Sequence, residues 1–489
     1  HGCACSWNDP IKSLCNSVYT VSMPKHYTHP VEPNEAIELS MFKLSKDENY
    51  ISNQVNLLIS NYDDWIIKTS AEQDNMSESE NFFFLRNLEQ CKNIKRRIKE
   101  GLSLISRDSD IFSPHCLKAF QLMNQSMIMQ QCHYHIVENG FNGKKNIWDK
   151  DNFKYSEENY QIDITNYEDY AANIKRGLWR PFQLAFILIN LKSIIDKDDP
   201  SRNIVDLLWF PTGGGKTEAY LGLSAFTIFY NKIINSKSFG NYILMRYTLR
   251  LLTGQQFQRA QSLICSMEKI RRGNLSLLGE KEISIGLFVG NNSSPNTKER
   301  WRSIKNEIRE NGKRTNLVLL NCPWCGTEMG PLQKNQEDLT TKGYGDDGDY
   351  YCENTKCDFH EGLPVYTVDE VLYTQKPSLI IATVDKFAIT PWKFKEVKKL
   401  FFNKKNPNQI KPQLIIQDEL HLISGKLGSM VGFFELMIEK LCEDTINQKS
   451  IKPKIIASTA TISNSQNQIR SLYGRQSNLF PPQLSKMGN

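Results

Sequence analysis

The chain has 489 residues, of which 40% are hydrophobic and 23% charged, and its formal net charge is +6. That length passes the roughly 250–300 residues at which one hydrophobic core stops growing, so several structural units are expected, and the composition excludes a disordered or low-complexity protein. No apolar run approaches the roughly 18 residues of a membrane span, the weak positive charge allows a polyanionic partner without requiring one, and the twelve cysteines do not form an extracellular disulfide framework. A reducing cytoplasm fits this usage. The chain opens on His1 with no leader pattern, and is read as a fragment at its N-terminus.

Residues 1–170 are polar and aromatic with helix-like stretches, and are expected to form a mainly helical N-terminal domain. Cys116 to Gln131 repeats apolar residues at three- and four-residue spacing, a helical period. The basic run Lys92 to Lys99 is read first as the solvated face of a helix and only second as a nucleic-acid contact. From about residue 171 the pattern changes to short apolar runs separated by longer helical ones: Ile204 to Phe210, Tyr242 to Tyr247, Ile283 to Val289, Leu379 to Thr383, Gln413 to Gln417 and Lys454 to Ser458. Strands without polar alternation, separated by helices, predict an α/β fold with a parallel sheet sandwiched between helices. Residues 318–362, rich in Gly and Asp and carrying four cysteines, interrupt that rhythm as an inserted module.

Three elements carry chemistry. The strand Ile204 to Phe210 runs into Pro211, Thr212, Gly213, Gly214, Gly215, Lys216 and Thr217, and a helix is predicted from Glu218 to Asn231. Strand, glycine-rich turn and helix let backbone N–H groups and the helix N-terminus converge on phosphates. Lys216 then reaches the β- and γ-phosphates of ATP, and the Thr217 hydroxyl ligates Mg²⁺. Phe210 stands where the strict motif has its first Gly. About 200 residues later the strand Gln413 to Gln417 ends in Asp418, Glu419, Leu420 and His421. One carboxylate, Asp418, suits Mg²⁺; the next, Glu419, suits orienting and deprotonating the attacking water. His421 is a further candidate of this catalytic group. Third, Cys322 with Cys325 and Cys352 with Cys357 form C-x2-C and C-x4-C pairs separated by 26 residues. Two such turns can share one tetrahedral Zn²⁺ with no open position, hence a structural site. His360 is a weak substitute ligand.

The loop and acidic box resemble those of superfamily 2 helicases, which implies a RecA-like P-loop ATPase lobe over residues 171–482. By the same resemblance Arg180 and Gln183, in LWRPFQ, belong to an adenine-recognition element, while Thr459 and Thr461, in STAT, couple the nucleotide to the nucleic-acid path. Thr248, Arg250 and Gln255, in RYTLRLLTGQQ, and Thr383 and Lys386, in TVDKF, correspond to elements that grip nucleic-acid phosphates without reading sequence. More specifically, WRPFQLAFILINL, VDLLWFPTGGGKTEAYLGL, ATVDKFA, QDELHLISGKLGSMVG and LYGRQSNLFPP are similar to the DrmA helicase family of prokaryotic DISARM anti-phage systems. That resemblance implies an ATP-dependent DNA motor acting with a DrmB-like partner and a DNA methyltransferase, without a membrane. A complete motor carries a second such lobe, and residues 483–489 are read as a linker to one that is missing, so poor turnover of the chain alone is expected. A nucleotide-gated DNA-binding or assembly module and an RNA-directed motor stand as alternatives.

Overall fold

The computed structural model describes residues 5–7, 18–20, 37–71, 78–149, 152, 154–157, 160–210, 214–248, 250–290, 294–311, 317–331, 341–401, 406–446, 449–460 and 464–482. Residues 1–36 and 37–489 are two separate compact units. In the first, Cys5–Trp7 pairs antiparallel with Val18–Thr20.

The second unit is organised by the apolar runs. They form β1 (Val205–Trp209), β2 (Ile243–Tyr247), β3 (Ile285–Phe288), β5 (Leu379–Thr383), β6 (Leu414–Gln417) and β7 (Lys454–Thr459). Two short strands, β4 (Val365–Tyr366) and β8 (Ser477–Phe480), complete a sheet of eight strands in the order β4-β3-β5-β2-β6-β7-β1-β8, and every pairing is parallel. The edge strands escape a pattern search because one has two residues and the other is the half-polar SNLF.

Successive side chains of a strand point to opposite faces, and here both faces are core. Ile243, Met245, Leu379, Ile381, Leu414 and Ile416 join one buried cluster, while Leu244, Ile380, Ile415 and Ile455 join the other. This double burial explains why the runs lack polar alternation. The first face is covered by α4 (Pro181–Ile195), α5 (Lys216–Ile234) and α6 (Arg250–Arg272); α7 (Gly425–Cys442) and α8 (Ser465–Tyr473) contribute to the second.

Before the sheet, the chain forms α1 (Glu48–Ser70), α2 (Glu78–Ile105) and α3 (Pro114–Asn139). The last begins where Ser113 caps the N–H of Cys116 and ends at Gly140, with φ +84°. Helix α2 packs on α4, and α3 on α5 and α6. Arg97 of α2 reaches through this contact to the fully buried Asp206 of β1 at 2.6 and 2.8 Å, and Lys454 of β7 meets the same carboxylate at 2.6 Å. Of the rest of the basic run, Lys95 pairs with Asp63 and Arg96 with Glu100, while Lys92 and Lys99 are exposed. No helix among the described residues is long and apolar enough to cross a membrane.

Candidate nucleotide site

In an all-parallel sheet the carboxyl ends of the strands lie at one edge, where ligands of open α/β sheets bind. At this edge β1 ends at Trp209 and α5 starts at Lys216. Gly215 has φ +89°, a left-handed conformation suited to glycine, and a Cβ there would lie 2.7 Å from Gln183 Nε2. Pro211, Thr212 and Gly213 fall outside the described residues; Gly214, Gly215, Lys216 and Thr217 fall within them. Lys216 is 7% exposed and its Nζ is buried with no hydrogen-bond partner among the described residues. A buried ammonium without an acceptor is costly, so this one suits an anionic ligand.

Around it, polar groups interlock. Tyr220 Oη donates to Asp418 Oδ2 at 2.6 Å and lies 3.1 Å from Thr217 Oγ1. Because the single phenolic proton goes to Asp418, Thr217 is the donor to Tyr220, which makes a relay Thr217 to Tyr220 to Asp418. Complete burial, and then the adjacent carboxylate, push the phenol well above its ordinary pKa, so it remains a donor. Asp418 Oδ1 accepts from the Ser458 hydroxyl and from the Glu419 N–H at 2.9 Å. Thr217 and Asp418 are thus joined through Tyr220, leaving the Thr217 lone pairs for a cation.

Glu419 has φ +48°, an uncommon conformation for a side-chain-bearing residue, where β6 passes into the turn Leu420–Leu422. Half-burial and the Asp418 charge raise its carboxyl above the usual range, against opposing effects of Lys216 and His421. His421 Nδ1 lies 3.4 Å from Glu419 Oε2 and 3.2 Å from Thr459 Oγ1. The end of β7 therefore touches the acidic box twice, through Ser458 and Thr459. Thr461 is outside the described residues. Tyr220 is a site residue that motif matching did not select, three positions after Thr217, the helical spacing that puts both on one face, whereas Ser458 is the first residue of the STAT element.

Arg180 and Gln183 brace the loop. Arg180 Nη1 donates to the Gly214 carbonyl at 2.6 Å, and Gln183 Nε2 to the Gly215 carbonyl at 2.8 Å. The Gln183 oxygen accepts from the Arg180 N–H at 2.8 Å, so both ends of the amide are engaged inside the protein. Phe182 stacks on Phe210 with ring centroids 3.8 Å apart.

The candidate phosphate-gripping residues divide. Pairing of Tyr247 with Thr383 brings Thr248 and Thr383 to neighbouring strand ends, and both hydroxyl oxygens are buried without hydrogen-bond partners among the described residues. Lys386 instead turns inward, 6% exposed, to Asp369 at 2.7 Å and Asn296 Oδ1 at 2.9 Å. Its charge is committed to the fold, because the chain returning from the four-cysteine insert supplies the carboxylate. Gln255 is exposed on α6, and the side chain of Arg250 lies outside what is described.

The four cysteines converge. Their sulfurs lie within 4.8 Å of one another, with Cys322 to Cys357 at 3.9 Å and Cys325 to Cys352 at 3.4 Å. A tetrahedral Zn²⁺ with Zn–S of about 2.3 Å has S–S edges of about 3.8 Å, so the donor set fits that ion. His360 Nδ1 faces the Cys352 carbonyl at 2.6 Å and is not in the cluster. The cluster is tied to the lobe: Ser262 of α6 donates to the Pro323 carbonyl at 2.9 Å, and the His133 ring of α3 stacks on Trp324 at 3.4 Å.

No family model matches the chain. It is 31% identical, over 533 aligned positions covering 98% of the chain and 45% of the relative, to the DISARM protein DrmA of Bacillus paralicheniformis. The chain thus spans less than half the length of that relative. Solved structures with partial likeness include the DUF1998 helicase MrfA bound to DNA and AMPPNP (TM-score 0.33, 15% identity, 70% of this chain and 33% of that one). Another is the yeast DEAD-box splicing factor Prp28 (TM-score 0.34, 12% identity, 65% of this chain and 48% of that one). At these scores neither bears on the site.

Proposed function

Because the chain belongs to the family of the DISARM protein DrmA, we propose that it carries the nucleotide-binding lobe, residues 171–482, of an ATP-dependent helicase-type motor acting on DNA in anti-phage defence. The observation that carries the reading is the buried Lys216 ammonium without a partner, next to the Thr217–Tyr220–Asp418 relay and Glu419. Lys216, with the N–H groups at the start of α5, binds the β- and γ-phosphates. Thr217 and Asp418 hold Mg²⁺, which when bound offsets phosphate charge and polarises the bond to be cleaved. Glu419, its carboxyl raised, orients a water and accepts its proton. Arg180 and Gln183 hold the loop's backbone in shape, and Gln183 gives up a bond within the protein where it reads adenine. His421 and Thr459 connect the acidic box to the end of β7. Thr248 and Thr383 offer hydroxyls to the DNA backbone at the same edge, with Lys386 supporting the turn behind Thr383.

Zn²⁺ in the four-cysteine cluster is structural in this reading, since four thiolates leave no open coordination position. A DrmB-like protein and a DNA methyltransferase are the proposed partners.

The reading is tested by equilibrium binding of a fluorescent ATP analogue with Mg²⁺. Wild type binds, and Lys216→Ala weakens binding by on the order of 10- to 100-fold, the loss of a charge-assisted hydrogen bond. Equal affinity of the two proteins contradicts the assignment of this loop.

A further inference from the structure

Beyond the phosphate contacts, we propose that Trp392 is a stacking platform for an unpaired base of single-stranded nucleic acid, flanked by lysines that hold the adjoining phosphates. The inference rests on the nucleic-acid reading above and adds a base contact to it.

Trp392 is 82% exposed, the highest value among the large apolar side chains of the described residues, and Phe394, two positions on, is 44% exposed. An isolated exposed apolar residue is ordinary; this pair differs in its support, its surroundings and its place. Concerning support, the turn that presents Trp392 is fixed from both sides. Its N–H and that of Lys393 both donate to the Ile389 carbonyl, at 3.1 and 3.0 Å, closing the end of the 3₁₀ helix Val384–Ile389. That helix is anchored in turn by Phe387, which is 1% exposed and packs edge-on against Phe288, and by the buried Lys386–Asp369 pair. An indole held on a rigid turn and open to solvent loses little freedom when a flat partner covers it.

The surroundings are cationic. The segment Trp392 to Lys399, WKFKEVKK, places Lys393, Lys395, Lys398 and Lys399 around the two aromatics against one carboxylate, Glu396. Lys398 Nζ lies 5.6 Å from the Phe394 ring centroid. Lys395 and Lys399 are exposed, and none of the four lysines forms an ion pair among the described residues. An aromatic face interleaved with uncommitted cations fits a chain of stacked bases on a phosphate backbone. As for place, the 3₁₀ helix Val384–Ile389, whose closing turn presents Trp392, begins directly after Thr383, whose buried hydroxyl is unpartnered among the described residues, at the carboxyl edge of the sheet beside Thr248. The indole is thus carried on the segment that leaves the edge at which the two hydroxyls lie. Duplex bases are already stacked on each other, so the platform discriminates for unpaired ones.

The test measures binding of a fluorescein-labelled oligothymidine 20-mer and of a duplex of the same length, by anisotropy, to the full chain and to Trp392→Ala and Trp392→Phe. Expected is a 5- to 100-fold loss of oligothymidine affinity in W392A, roughly the stacking of one base, with duplex affinity within about twofold of wild type and W392F retaining most of the affinity. The side chain is solvent-exposed, and thermal melting controls for folding. Wild type binding the oligomer with W392A unchanged overturns this proposal alone and assigns the indole to another contact, such as a protein partner. Failure of wild type to bind either nucleic acid overturns the nucleic-acid reading together with it.

Discussion

The two ends of the same parallel sheet differ in one buried charge, Lys216. At the amino ends of the strands two buried ionic clusters are paired inside the protein: Asp206 with Arg97 and Lys454, and Arg475 with Glu439 at 2.6 Å. Arg202 there donates to the carbonyls of Ser193 and Lys452, at 2.9 and 2.8 Å. At the carboxyl ends Arg246 pairs with Glu435 and Lys386 with Asp369, but Lys216, Thr248 and Thr383 hold buried polar atoms with no partner among the described residues. Both ends draw on the same types of residue, and unpartnered buried atoms occur at both, the Asn241 amide before β2 included, so what singles out the carboxyl end is a buried cation, Lys216, with no partner among the described residues. A desolvated charge left without a partner costs more than a neutral group, and an anionic ligand would complete it.

Three substitutions or removals sharpen that contrast, beginning with the largest effect. Stripping the metal expected at the four cysteines with a strong chelator should cost about 10 kcal/mol of local folding free energy, the scale of structural zinc. The insert and the α6 face that Ser262 presents to it should then become protease-sensitive, with about one equivalent of zinc released; release of no metal refutes the site. At the amino end, Asp206→Asn leaves Arg97 and Lys454 as buried cations without a counter-charge, and should destabilise by about 3–5 kcal/mol in chemical denaturation without altering the intrinsic nucleotide site. The pH dependence has a defined sign. Burial by itself raises the Asp206 carboxyl, but Arg97 and Lys454 outweigh it and hold the group down at about 2, below the ordinary unfolded value of about 3.9. Its contribution is therefore present above about pH 4 and lost as the pH falls towards 2, and D206N should lack that component of the acid transition. The smallest effect belongs to the relay: Tyr220→Phe keeps the ring but removes the hydroxyl between Thr217 and Asp418. It should reduce the Mg²⁺-dependent part of nucleotide affinity about two- to tenfold, leaving binding in EDTA unchanged. Equal loss with and without Mg²⁺ would make Tyr220 a packing residue.

What the sequence disclosed follows from range. The proposed phosphate loop and acidic box are local strings at strand ends, so the candidate site residues are legible one by one, and the six principal strands are legible because both their faces are buried. Tyr220 lies outside those strings, since its role arises only when β6 lies between β2 and β7 and brings Asp418 beside α5. Lys386 shows the converse. Its motif position suggests a phosphate contact, yet Asp369, which commits it, arrives from the far side of the four-cysteine insert. Likewise the basic run around Arg97 is indistinguishable in sequence from a nucleic-acid patch until Asp206 and Asp63 are seen opposite it. Spacing along the chain reveals which groups are available; only packing decides which are already used.

The most direct test of that division heats wild type, Lys216→Ala and Asp206→Asn with and without Mg-ATP. Wild type should melt higher with nucleotide, by mass action on the folded state. K216A should melt near wild type without nucleotide and gain little from it, while D206N should melt well below wild type yet keep the nucleotide shift. A nucleotide shift retained in K216A, or abolished in a folded D206N, would contradict the assignment of one end of the sheet to ligand and the other to stability.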